Sequence, residues 1–303
     1  MNTITEFDIE QFAVSLLENL GYDYIYAPDI APDFEAGRGG TFPEQDNPFP
    51  IQDGDTRTSY EQVLLLNRLQ NAVNRINPFI PAEAQAEAIK EIQRISSPEL
   101  LSNNETFHRL LTEGIPVSKQ VDGIERGDRV WLIDFKNPYN NDFLVTNQFT
   151  VVENNQNKRP DIVLFVNGIP LVVMELKNPA DETATIRSAF RQIETYKSII
   201  PSLFTYNGFV VISDGLEAKA GSISAGFSRY MAWRSSDGKV EASHLVSELE
   251  TLILGMLNKE TLIDLIRHFI VFEKSKREDP KTKIITISTV KILAAYHQYY
   301  AVN

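Results

Sequence analysis

Apolar residues first recur at helical spacing between Thr5 and Leu20, where Ile9, Phe12, Ala13, Leu16, Leu17 and Leu20 form one stripe that Gly21 ends. Thr5 and Asp8 stand in capping-box spacing at its start. Glu18 falls opposite the stripe, Glu6 within it and Glu10 on its edge, from where a carboxylate can reach inward. Residues 27–58 show no period and are rich in Pro, Gly and Asp, which predicts a long loop. Helical spacing returns over 59–76, 81–95 and 98–111. After Gly114 the period shortens towards two, predicting strands over 115–120, 129–135 and 143–152. Turn clusters separate them at Asp122-Gly123, Asn137-Pro138 and Asn154-Asn155.

The stretch 159–196, RPDIVLFVNGIPLVVMELKNPADETATIRSAFRQIETY, carries the strongest pattern. Two apolar runs, 162–166 and 171–174, flank Asn167-Gly168, a strong hairpin turn signal. Alternation along the second strand puts Glu175 and Lys177 on one face and Leu176 on the other. A helix is expected over 181–200 and a strand over 208–213, so an antiparallel pair is followed by a crossover to a further strand. The fold class is therefore α/β, a mixed sheet flanked by helices. Residues 218–240 read as a hairpin or edge excursion, 243–257 and 260–272 as helices, and EKSKREDPKTK (273–283) as a charged, mobile linker. The aromatic tail AAYHQYYAVN looks like a cut rather than a terminus. Two regions are expected: 1–240, with 27–120 as a loop and helical insertion, and 241–303 as a helical segment and linker.

Composition narrows the classes. At 303 residues and 43% apolar content the chain can bury a full core, and no apolar stretch approaches a membrane span. The absence of cysteine excludes disulfides and thiolate metal sites and fits a cytoplasmic setting. A formal charge of −12 implies that the chain alone binds DNA weakly, because Lys and Arg supply much of nucleic-acid affinity.

Candidate chemistry concentrates in the same stretch. Placing Glu175 and Lys177 at the end of an apolar strand costs several kcal/mol of desolvation unless they pair or bind a cation. Asp161 and Glu175 can offer hard oxygen ligands to Mg²⁺, with the Leu176 carbonyl beside them, and Lys177 can orient water or balance developing charge. A lysine beside a metal and partly buried should have a lowered pKa, which leaves base and electrostatic roles both open. Pro160-Asp161 and Glu175-Leu176-Lys177 form the PD-(D/E)xK pattern, with Gln192 and Tyr196 following at i and i+4 on the next helix. The bland alternatives are a buried structural ion pair and a polar helix edge. WLIDFKNP superficially repeats VVMELKNP but lacks a preceding acid-bearing hairpin, so Asp134 is set aside. There is no phosphate-loop motif, since Gly238-Lys239 is followed by valine, and there is no HExxH.

RPDIVLFVNGIPLVVMELKNP, RQIETY, FVVISDG with the later AGFSRYMAW, and AYHQYYAV together resemble the N-terminal part of the R (restriction, motor) subunit of type I restriction-modification enzymes. The similarity runs over most of 143–303, and LLENLGY resembles the family's opening, whereas 27–120 are less distinctive. The resemblance implies a PD-(D/E)xK nuclease fold, Mg²⁺-dependent cutting of double-stranded DNA, and assembly with methyltransferase (M) and specificity (S) subunits. It implies Asp161 and Glu175 on metal, Lys177 as the family's lysine, Gln192 with Tyr196 flanking, and Glu10, or else Glu6, as an upstream helix acid. It further implies an ATP-driven helicase motor after this region, with Gln298 contacting adenine only when that motor is present. A standalone PD-(D/E)xK nuclease and a catalytically inert docking module are the alternatives, and an intact Asp, Glu, Lys, Gln, Tyr set favours the enzyme.

Overall fold

A computed structural model of the chain describes residues 5–33, 55–121, 124–178, 185–278 and 285–303. Helix α1 (Glu6–Asn19) opens on a reciprocal cap, in which the Thr5 and Asp8 side chains each accept from the other's backbone N–H, and Gly21 at φ +85° turns the chain out of it. Strand β1 (Asp23–Tyr26) follows, then α2 (Leu66–Ile76), α3 (Ala82–Gln93), α4 (Leu100–Glu113) and the antiparallel pair β2 (Ile115–Val121) and β3 (Ile124–Val130). Next come β4 (Phe143–Asn147), the small hairpin β5 (Val151–Glu153) and β6 (Gln156–Lys158), then β7 (Ile162–Val166) and β8 (Ile169–Leu176). Helices α5 (Ile186–Ile199) and α6 (Pro201–Thr205) lead to β9 (Phe209–Ser213) and β10 (Ala218–Gly221). The chain closes with α7 (Glu248–Met256), α8 (Lys259–His268), β11 (Ile270–Glu278), β12 (Ile285–Leu293) and α9 (Tyr296–Val302).

The central sheet runs β1-β4-β7-β8-β9-β10, with β1 parallel to β4, β8 parallel to β9 and every other neighbour antiparallel. This is the mixed, helix-flanked sheet that the 159–213 pattern predicts. Every residue of β4, β7, β8 and β9 is buried, so these strands form the middle of the core. Register places Tyr26, Asn147, Leu176 and Ser213 at one end of the sheet, where β1, β4, β8 and β9 finish and β7 begins. Helix α1 packs across β4 and β8 and brings its first turns to that end.

The β7–β8 turn shows why the hairpin signal holds. Asn167 and Gly168 both take positive φ, 52° and 76°, as a tight two-residue hairpin requires. The Gly168 carbonyl accepts from Leu65 N–H at 2.9 Å, and a Cβ at 168 would collide with the Leu65 carbonyl. Gly168→Ala is therefore expected to cost on the order of 2 kcal/mol, from left-handed strain plus the displaced carbonyl. A denaturation midpoint equal to the parent's would refute this.

Several expected elements differ, each because tertiary partners take the backbone groups that local structure would use. Residues 59–65 are not helical. The Arg57 guanidinium is bonded to the carbonyls of Tyr60, Gln62 and Thr150, and Val152 N–H goes to the Tyr60 carbonyl. Strand β3 ends at Val130, and the following turns are built on side chains: Asn77 and Asn141 bond the backbone at 131 and 134. The strand expected over 143–152 breaks at Gln148, whose φ is +60°. The helix expected over 181–200 begins at Ile186, with 181–184 outside the described residues, and a second short helix starts at Pro201. The Asp122-Gly123 turn also lies outside the described residues.

The largest departure is the C-terminal stretch. Helix α8 stops at His268, and residues 270–278, part of which reads as a linker in the sequence, pair with 285–293 in an antiparallel hairpin. Its anchor is Lys291, 1% exposed, whose Nζ donates to Asn104 Oδ1 at 2.8 Å and to the Asn207 carbonyl at 2.7 Å. Ser222 and Ser224 donate to the Lys291 carbonyl. Helix α7 packs on α1 and β10, and Trp233 lies against Tyr299 and Tyr300 of α9.

Candidate active site

Three elements deliver carboxylates to one point at the sheet end. Asp161 immediately precedes β7, and its Oδ2 accepts from Leu176 N–H at 2.7 Å, so the two strands lock its position. Glu175 is the penultimate residue of β8 and is fully buried. Glu6 is the first residue of α1. Ligand oxygens of Glu6, Asp161 and Glu175 all lie within 4.8 Å of one another.

Lys177 ties the cluster together. Its Nζ donates to Glu175 Oε1 at 2.6 Å, to Glu6 Oε1 at 3.0 Å and to the Leu176 carbonyl at 3.0 Å. Burial by itself would lower its pKa, but the charges of Glu175 and Asp161 outweigh burial and raise it. The lowered pKa expected for this lysine is tied to a metal beside it; with the acids alone around it, the ammonium is favoured.

The pKa values of the acids are raised as well, which in their case favours the neutral form. Burial, and then the charge of Glu175, raise the Asp161 pKa well above the usual carboxylate range. Glu175 is pushed up to about 7, mainly by burial and only partly offset by Lys177. Its Oε2 is buried and makes no hydrogen bond of good geometry, although the Tyr196 hydroxyl lies near enough to Glu175 to favour its anion. Three carboxylates against one ammonium leave an excess of two negative charges when all are ionised. An all-oxygen donor set with that excess of negative charge fits a hard divalent cation such as Mg²⁺.

Glu10, the upstream acid preferred from the sequence, lies one helical turn beyond Glu6 and is held differently. Gln148 Nε2 donates to both of its carboxylate oxygens at 2.9 Å, and Asn147 Nδ2 to Oε2 at 3.4 Å. Burial raises its pKa, and these amides partly offset that. It is close enough for its charge to act on Asp161, but Glu6 is the member of the carboxylate cluster. Gln148 and Asn147 were not legible as site residues, because their placement depends on the break after β4.

Gln192 and Tyr196 sit one turn apart on α5. Gln192 Nε2 donates to the Tyr196 hydroxyl at 2.5 Å, and that hydroxyl donates to the Arg159 carbonyl at 3.3 Å. Burial, followed by the charge of Glu175, raises the Tyr196 pKa, so its hydroxyl stays protonated beside the acids. Elsewhere, Asp134 accepts from Lys136 and Asn137 N–H and from Asn140 Nδ2, a turn-stabilising role away from the cluster. Gln298, on α9, uses its side-chain oxygen to accept from Ala295 N–H at the helix start. Among the described residues no helix is long and apolar enough to cross a membrane.

Comparison with known proteins bears on this arrangement. The family model described as Type I restriction enzyme R protein N terminus matches residues 3–229. The endonuclease subunit of the type I restriction enzyme HindI of Haemophilus influenzae is 36% identical over 304 residues, covering 99% of this chain and 26% of that protein. The putative type I restriction enzyme MjaIXP endonuclease subunit of Methanocaldococcus jannaschii is 30% identical over 317 residues, 98% of this chain and 27% of that protein. The EcoprrI endonuclease subunit of Escherichia coli is 31% identical over 160 residues, half of this chain. The chain spans about a quarter of the length of the first two relatives. Matched over most of its length by the family model and nearly end to end by these relatives, the chain belongs to the family of type I restriction enzyme R protein N termini.

Proposed function

We propose that this chain is the DNA-cutting region of a type I restriction enzyme R subunit, a PD-(D/E)xK nuclease that hydrolyses phosphodiester bonds of double-stranded DNA with Mg²⁺. The observation that carries the reading is the clustering of Glu6, Asp161 and Glu175 at one point, with Lys177 bonded to Glu6 and Glu175. A structural ion pair needs one acid; three acids on one lysine leave charge for a cation to balance.

In this reading Asp161 and Glu175 hold Mg²⁺, with Glu6 as a third oxygen donor. The ion supplies Lewis-acid polarisation of the phosphate and a water acidified for attack. Lys177, as an ammonium, would lend positive charge to the reacting phosphate, where charge develops in the transition state. The protonated Tyr196 hydroxyl and the Gln192 amide border the acids on the α5 side. The protein works in the cytoplasm with M and S subunits, and ATP acts through a motor that is part of the full-length subunit. In that setting Gln298 contacts adenine.

Metal binding tests the reading without relying on cleavage. Calorimetric titration of the chain with Mg²⁺ or Mn²⁺ is expected to show binding that Glu175→Gln weakens at least about 10-fold, since even outer-sphere changes cost that much. Equal affinity in parent and variant would remove Glu175 from the metal site.

A further inference from the structure

Beside the carboxylate cluster, on the far side of Tyr196, a cleft of about 660 Å³ opens between the β5–β6 hairpin and α5. We propose that this cleft is a seat for the phosphate backbone of duplex DNA, with Lys158, Arg159 and Arg191 as its phosphate-binding residues. The proposal rests on the nuclease reading above and adds where the strand next to the cut lies.

The case begins with charge. The chain carries a net charge of −12, yet this cleft is lined by three cations and no carboxylate. Its remaining lining bears only hydroxyl and amide groups, which are the neutral partners of phosphate oxygens. None of the three cations is salt-bridged to a described carboxylate, whereas Lys90, Arg94 and Lys274 elsewhere on the surface each pair with an acid. Arg159 and Arg191 are exposed and Lys158 is half-buried; Arg159 lies near enough to Glu10 for its charge to act on that acid, without an ion pair between them.

Local structure explains how the cleft is built. The β5–β6 hairpin turns through Asn154 and Asn155, both at positive φ, and so presents Lys158 opposite α5. On α5 the core side is Ile186, Ala189, Ile193 and Tyr196. Ser188, Arg191, Gln192 and Thr195 recur at helical spacing on the adjacent face and line the cleft. That polar face is thus a wall of a cavity as well as a helix edge.

Position links the cleft to the chemistry. Gln192 and Tyr196 line it, and the Tyr196 hydroxyl donates to the carbonyl of Arg159, while the Tyr196 ring end also lies within electrostatic reach of Glu175. One pair of side chains therefore forms the partition between cleft and acid cluster. A strand seated on the three cations would carry its next phosphates past Tyr196 towards Lys177. The acids repel phosphates unless a cation is bound, so a positive seat beside them is what allows an acidic protein to hold the strand close.

The test measures binding of the 303-residue chain to a short fluorescent duplex of arbitrary sequence, by anisotropy, across a salt series without magnesium. Lys158→Gln, Arg159→Gln and Arg191→Gln combined are expected to weaken binding at least roughly 10-fold at low salt and to flatten the log–log salt slope by about 2 to 3. Arg191→Glu alone, at an exposed position, should weaken binding also and guards against misfolding of the triple variant. The surface set Lys90→Gln, Arg94→Gln and Lys274→Gln removes equal charge and is expected to lose far less. If the cleft variants keep the parent's affinity and slope while the parent binds and cuts duplex DNA, the cleft assignment falls and the nuclease reading stands. Equal losses from the surface set would show that net charge is responsible and would likewise overturn the cleft. A parent that binds no duplex even at low salt overturns the cleft, while the nuclease reading stands or falls on the metal titration above.

Discussion

On the nuclease reading proposed above, Asp161→Asn is expected to lower DNA cleavage by the full-length subunit, assembled with its partners, by at least on the order of 10³-fold. Asparagine keeps an oxygen to accept from Leu176 N–H, the bond that fixes residue 161 at the start of β7, so the fold is spared. What is lost is a charged ligand in a cluster whose other acids, Glu6 and Glu175, are already shared with Lys177. Lys177→Ala is expected to fall as far, because it removes the ammonium on which the acids converge. The two variants separate in a metal titration. Asp161→Asn should weaken Mn²⁺ binding, whereas Lys177→Ala, which relieves competition for the same oxygens, should strengthen it. Cleavage undiminished in either variant would end the assignment of this cluster as the cutting site.

The second large effect concerns stability and pH, and it arises at Lys291. Burial pushes this ammonium down to about 7, from an ordinary value of 10.5. Asn104 and the Asn207 carbonyl offset only part of the lost hydration. Between these two values the unfolded chain binds the proton and the folded chain does not, so stability rises with pH across that window. A shift of this size corresponds to on the order of 4 to 5 kcal/mol over the full window. Groups facing it from the packed elements are few: His108 on α4, itself pushed down to about 3 by burial and then by Lys291, and the ring of Phe272. Lys291→Met should abolish this contribution, so the parent's stability relative to the variant should climb from pH 7 to pH 10 in denaturant titrations. A difference that stays flat across that range would show that the buried amine remains charged.

The hairpin at 159–177 and the helix carrying Gln192 and Tyr196 were legible in the sequence because their signals are local. Asn167-Gly168 can adopt the positive φ values of a two-residue turn, continuous apolar runs suit strands covered on both faces, and i, i+4 spacing aligns a helix face whatever surrounds it. The same is true of the Thr5–Asp8 cap. Local reasoning also brought Asp161 to the start of one strand and Glu175 and Lys177 to the end of its neighbour.

Other features depended on partners distant in sequence. Glu6 and Glu10 both face inward from α1, and only the seating of that helix across β4 and β8 decides that Glu6 meets Lys177 while Glu10 meets Gln148. The charge state of Lys177 could not be read from its burial alone, since it follows from the number of acids around it. Residues 270–278 look like a solvated linker because their charges are typical of one; they form a strand because 285–293 pair with them and Lys291 finds acceptors on α4 and before β9. The sequence by itself thus determined which residues could do metal-assisted chemistry and the strands that carry them, through turn geometry and periodicity. The tertiary structure alone decided which acid joins them, which lysine is buried and where the cations gather, because each of these is an electrostatic balance among groups far apart along the chain.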